Sequence, residues 1–103
     1  MVKTYSALDR IVEVKVGERF IIALDSNPTT GYEWGVEFEP NCIEHDDERD
    51  RTFFRTSEDI GAGGKEEFEF QPLKSGKTEI IMRYKRAWEA EAIEEKVFTV
   101  EIT

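Results

Sequence analysis

The chain holds one cysteine and one histidine, and they stand three residues apart as Cys42 and His45. A thiol nucleophile needs a base beside it, and imidazole is the usual one. Spacing along a chain does not make such a pair, and no second histidine exists to extend it. A small half-buried cysteine and a surface histidine are expected instead, with no catalytic residue and no enzyme activity. The acidic stretch Glu44-His45-Asp46-Asp47-Glu48 invites a metal ion. It lacks the alternating Asp and the glycine of a calcium loop, and a zinc site would want more Cys or His. Arg49 and Arg51 interleave with Asp50 directly after it. A solvated charged loop is expected there, with no metal and no cofactor.

Three other segments are unusual. Gly61-Ala62-Gly63-Gly64-Lys65 suggests a phosphate-binding loop, but Asp59 stands where that motif needs its first glycine, and Glu66 where it needs Ser or Thr. The segment also precedes a strand pattern, not a helix N-terminus. Two possibilities stay open: a flexible hairpin loop, or a loop bared of side chains so that its backbone can approach a partner. Asn27-Pro28-Thr29-Thr30-Gly31-Tyr32 is short and stiff. Asn-Pro starts a turn, Pro28 fixes one φ, the two threonines are restricted at χ1, and Gly31 permits positive φ. A loop so built loses little entropy on binding, although it is also what a well-made interstrand turn would be. Asn27-Pro28-Thr29 is no glycosylation acceptor, because proline occupies its middle position. Arg86-Ala87-Trp88 ends a strand pattern with two of the residue types that carry interfaces.

The elements that must position these loops are strands. Apolar residues recur at a spacing of two in Ile11 to Val16, in Arg19 to Leu24, and most cleanly in Tyr32, Trp34, Val36 and Phe38 against Glu33, Gly35, Glu37 and Glu39. That phase makes Trp34 a core residue. Thr52 to Thr56 is short and rich in β-formers, Glu66 to Gln71 places Phe68 and Phe70 on one face, Thr78 to Arg86 aligns Ile80, Met82 and Tyr84, and Ile93 to Ile102 aligns Phe98, Val100 and Ile102. The run Phe20-Ile21-Ile22-Ala23-Leu24 suggests burial on both faces. Turn signals separate the strands, among them Gly17-Glu18 and Ser75-Gly76. The one rival helix is Ala87 to Lys96, whose apolar positions form no clean stripe. Seven strands with turns between them predict an all-β sandwich or barrel.

The 103 residues are expected to form a single domain, 1–103, with one modest core and no room for a large enclosed active site. Fourteen Lys and Arg against 23 Asp and Glu leave a net charge of −9. Such a chain repels phosphate backbones and anionic lipid, so neither nucleic acid nor a membrane is an expected partner. No apolar run approaches the ~18 residues of a membrane span. Met1 to Ser6 holds no signal-peptide core, so a cytoplasmic location, or secretion after loss of a presequence, is expected.

In a sandwich of successively antiparallel strands, connections alternate between the two ends. The segments Asp25 to Thr30, Ser57 to Gly64 and Ala87 to Ala92 follow the second, fourth and sixth strand patterns. They should therefore share one rim, where loops held by a rigid scaffold form a binding surface.

In these loops the sequence resembles the chagasin family of cysteine-peptidase inhibitors. The family's marks are N-P-T-T-G-[YF], G-x-G-G and R-P-[WF], in that order. They stand here as Asn27-Pro28-Thr29-Thr30-Gly31-Tyr32, Gly61-Ala62-Gly63-Gly64 and Arg86-Ala87-Trp88, with Ala87 at the place of the usual proline. The resemblance spans essentially the whole chain. It implies an immunoglobulin-like antiparallel β-sandwich of about seven to eight strands. It also implies reversible, tight inhibition of papain-family cysteine peptidases by a protein that is a monomer when free. The first loop would enter the catalytic cleft, and the other two would grip its walls. The alternative of a different class is an immunoglobulin-like adhesion or scaffolding module that uses the same rim on a non-protease partner.

Overall fold

Period-two patterning resolves into eight strands in a computed structural model that describes residues 2–26, 31–54 and 64–103, with the backbone alone over 47–54. They are β1 (Lys3–Tyr5), β2 (Ile11–Val14), β3 (Phe20–Ser26), β4 (Tyr32–Phe38), β5 (Ile43–Phe54), β6 (Gly64–Pro72), β7 (Gly76–Arg86) and β8 (Glu94–Ile102). No helix occurs among the described residues. The rival helix at Ala87 to Lys96 is replaced by turns and bends up to Ile93 and by the start of β8.

Two four-stranded sheets form, in the orders β1-β3-β6-β5 and β2-β8-β7-β4. The long strands pair antiparallel. The two short N-terminal strands pair parallel, β1 with β3 and β2 with β8. The expected turn at Gly17 is present, with Glu18 N–H donating to the Lys15 carbonyl at 2.9 Å and Gly17 at φ 81°. It does not close a hairpin: β2 and β3 lie in different sheets, so the turn carries the chain from one layer to the other.

The layers bury their apolar faces against each other. Phe20, Ile22, Leu24, Ile43, Phe68 and Phe70 from one sheet meet Val12, Val14, Trp34, Ile80, Met82, Phe98, Val100 and Ile102 from the other. Phe20 stacks on Phe70 at 5.5 Å, and Phe38 of the opposite sheet meets Phe70 edge-on at 6.1 Å. β3 lies inside its sheet, and its outward Ala23 is buried as well, which accounts for the near-continuous apolar run.

β5 departs from expectation. The stretch Glu44 to Asp50 is strand, not loop, and it continues through Phe54 with a register shift between Asp46 and Arg51. Asp46 faces Glu69 on β6, which would set two carboxylates against each other. Arg19 resolves the conflict: one guanidinium nitrogen, Nη1, donates to Asp46 Oδ2 at 3.0 Å and to Glu69 Oε2 at 2.9 Å. These two carboxylates hold the Arg19 pKa above its ordinary value. β5 is an edge strand, where dense charge discourages pairing with a foreign chain. His45 also differs from the expected surface histidine. It is half-buried and stacks on Phe70 at 5.0 Å, with Phe38 and Phe68 nearby. Cys42 is free and half-buried against the core.

Candidate functional site

The register fixes where the unusual loops emerge. Ser26, the last residue of β3, pairs with Gly64, the first of β6, and Gly64 also pairs with Phe54, the last of β5. In the other sheet Tyr32, the first of β4, pairs with Arg86, the last of β7, and Tyr84 pairs with Glu94, the first of β8. The connection from β3 to β4, that from β5 to β6 and that from β7 to β8 therefore leave the sandwich at one end. This is the shared rim expected from the alternation of strands. The added N-terminal strand and the early start of β5 do not disturb it, because β3 to β8 still run alternately up and down.

Of the singled-out residues, Asn27, Pro28, Thr29 and Thr30 in the first loop and Gly61, Ala62 and Gly63 in the second lie outside the described residues. Gly31, Tyr32, Gly64, Arg86, Ala87 and Trp88 lie within them, and five of these six are arranged around one feature. Tyr32 and Arg86 face each other across β4 and β7 on the inner face, and the Arg86 guanidinium lies 4.4 Å from the Tyr32 ring centroid. The same guanidinium lies 5.8 Å from the Trp88 ring. Inward from Tyr32 the column continues through Tyr84 at 5.3 Å and Trp34, 4.8 Å further on. The stack thus runs from a core tryptophan at 8% exposure to a rim tryptophan at 75%. Cation–π contacts and ring stacking hold each member by the next.

Two further contacts set the loop ends. Gly31 takes φ 83°, which an L side chain rarely adopts, and a Cβ there would lie 3.4 Å from Trp88 Cη2. The exit of the first loop and the tip of the third therefore lie side by side, and the positive φ at Gly31 favours glycine there. Trp34 Nε1–H donates to the Asp25 carbonyl at 3.0 Å, pinning the entry of the first loop to the opposite sheet. In the third loop Glu89 N–H donates to the Arg86 carbonyl at 3.0 Å, closing a turn with Ala87 and Trp88 at its centre. No described non-glycine residue has positive φ, so this is a type I turn. Glu89 Oε1 lies 3.6 Å from Arg86 Nη1. Ile93 N–H donates to the Tyr84 carbonyl at 2.9 Å, and the loop ends there.

Chemically this rim presents an exposed indole, a guanidinium held by π contacts, and loop ends fixed in place. Among the described residues no group of three or more His, Cys, Asp and Glu is placed to hold a metal ion. Tyr84 was visible in the sequence only as a core-phase residue, and its role in carrying the stack outward depends on cross-strand register. The Gly31–Trp88 contact joins residues far apart in sequence and had no local signal.

A family model for chagasin family peptidase inhibitors matches residues 13–102. Chagasin of Trypanosoma cruzi is 35% identical over 91 residues, covering 84% of this chain and 82% of chagasin. Amoebiasin-2 of Entamoeba histolytica is 28% identical over 94 residues, covering 84% and 76%. The crystal structure of the cysteine protease inhibitor EhICP2 from Entamoeba histolytica superposes with a TM-score of 0.83 at 23% identity, over 99% of this chain and 95% of that one, so the immunoglobulin-like sandwich is shared. With its motifs in the family's order and the family model matching nearly its whole length, the chain belongs to the chagasin family of peptidase inhibitors.

Proposed function

We propose that this protein is a reversible, tight-binding inhibitor of papain-family cysteine peptidases, acting as a monomer through the three loops at one end of the sandwich. The observation that carries this reading is Trp88, 75% exposed yet braced by Gly31 and Arg86 beside the first loop. A large aromatic side chain held rigid and left bare is what a binding hot spot needs. Fixed loop ends reduce the ordering cost of association.

In the proposed complex the first loop enters the catalytic cleft, with Thr29 and Thr30 nearest the peptidase's cysteine. They offer backbone and hydroxyl groups but no correctly placed scissile bond, so the nucleophile is covered and not consumed. Gly61 and Gly63 let backbone lie against one cleft wall without side-chain clash, while Gly64, buried between Ser26 and Phe54 as the first residue of β6, anchors that loop. Trp88 and Arg86 engage the other. A standard interface of ~1,600 Å² in total is within the reach of three loops on one rim. The protein supplies no nucleophile or base of its own and needs no cofactor.

The test is titration of papain with the purified protein, alongside Thr30→Arg. Inhibition to a stoichiometric endpoint, abolished by a bulky charge at position 30 in a variant that melts like wild type, is the expected result. No inhibition at micromolar concentration would point to the adhesion or scaffolding module.

A further inference from the structure

Two polar side chains sit at the mouth of the sandwich where only apolar ones are expected. The inner face of β3 runs Phe20, Ile22, Leu24 and then Ser26, which is 5% exposed. The inner face of β6 runs Phe70, Phe68 and then Glu66. Ser26 Oγ donates to Glu66 Oε1 at 2.7 Å, across the strand pair that ends at Ser26 and Gly64. Both residues lie beneath the rim. Ser26 is the last residue before 27–30, and Glu66 lies two residues inside the start of β6, which receives the chain from 55–63.

We infer that the Ser26–Glu66 hydrogen bond is a positioning clamp that sets the first loop relative to the second and so governs affinity for the peptidase without touching it. A hydroxyl bound to a carboxylate is among the stronger hydrogen bonds, and its near-burial strengthens its hold on direction. The neighbouring Asp25 carbonyl is held from the other sheet by Trp34. The first loop therefore leaves β3 from two successive residues anchored to different sheets. Lys65 Nζ, 3.9 Å from Asp25 Oδ1 on the outer face, is exposed and adds little. A seat of three loops in a rigid cleft requires their mutual spacing before encounter, and a small misplacement is costly.

The inference rests on the inhibitor reading, and its test separates the two. Wild type, Ser26→Ala, Ser26→Thr, Glu66→Leu, Glu66→Gln and the Ser26→Ala/Glu66→Leu double variant are compared for papain dissociation constant, association rate and melting temperature. The expected result is about tenfold weaker binding for Ser26→Ala and for Glu66→Leu at a temperature where each is fully folded, equivalent to about 1.4 kcal/mol. Ser26→Thr, which keeps the hydroxyl, and Glu66→Gln, which keeps an acceptor, should recover most of it. The double variant should lose no more than the larger of the two single losses, because removing either partner already breaks the shared hydrogen bond. Wild-type inhibition with both single variants within twofold of it overturns the clamp alone, as does a strictly additive double variant. A loss that Ser26→Thr and Glu66→Gln do not recover overturns it too, since packing and not the hydrogen bond would then be responsible. Absence of inhibition by wild type overturns the inhibitor reading, and the clamp with it.

Discussion

Truncating Trp88 should separate binding from folding. A tryptophan presents up to about 250 Å². At 75% exposure, roughly 190 Å² of that stays open to a partner and roughly 60 Å² is already covered. At about 25 cal/mol per Å² the ceilings are about 4–5 kcal/mol for binding and about 1.5 kcal/mol for folding. Association costs reduce the first, so Trp88→Ala should weaken binding by about 2–3 kcal/mol, the range of a hot spot. That is roughly 30- to 150-fold in the dissociation constant, expressed mainly as faster dissociation. The folding loss should stay near 1 kcal/mol or below, a melting shift of at most about 4–8 °C. The turn should survive, because Arg86 keeps its contact with Tyr32 and its carbonyl still accepts from Glu89 N–H. Off-rates on papain and thermal melting of the same samples are the measurements. A variant that binds like wild type would show that this rim is not the inhibitory surface. One that melts far below wild type would show that the indole is structural despite its exposure.

The remaining expectations concern other positions. Ala87 occupies the second place of a type I turn, where proline is favoured, and Arg86 before it is extended. Ala87→Pro should therefore tighten binding by about 0.4–1 kcal/mol through loss of competing loop conformers, and weaker binding to papain with an unchanged melting point would refute this. Gly31→Ala, at φ 83° and against Trp88, should destabilise by about 1–2 kcal/mol and weaken binding as well, both read from melting and titration of one preparation. Cys42→Ser should inhibit normally, because the thiol has no covalent role; loss of inhibition in a folded variant would mean a disulfide with the target. Arg19→Met removes the cation shared by Asp46 and Glu69; it should lower the midpoint of denaturant unfolding and leave papain inhibition unchanged, since Arg19 precedes β3 at the end away from the loops.

Much of the sandwich could be read from residues because one face of each strand is apolar. Period two placed Phe20, Ile22, Trp34, Phe70, Ile80, Met82 and Val100 in the core, and all seven are buried; Val36, expected with them, is half-buried against it. Only the end of β5, Thr52 to Phe54, was legible; its first part was hidden because a charged edge strand carries no apolar alternation over Glu44 to Asp50, and Arg19, which bridges Asp46 and Glu69, comes from a distant part of the chain. Parallel pairing of β1 and β2 was hidden for a related reason: a turn signal at Gly17 gives the bend but not the layer into which the next strand falls.

The rim shows the same division. Residue types announced Trp88 and Arg86 as interface material, and Gly31 as a position of positive φ, since each is a local property. What makes them one surface is not local. Tyr32 meets Arg86 because β4 and β7 are paired in that register, and Trp88 meets Gly31 because the turn after Arg86 folds back over the start of β4. The Arg19 cluster, which relieves charge repulsion at the far end, shares no residue with this stack. The charge cluster and the aromatic stack thus lie in different sheets and toward opposite ends of the sandwich. Substitutions in one should leave the other nearly unchanged, and Gly31, Ser26 and Glu66, where a loop end meets the sandwich, are the positions at which the two should become coupled.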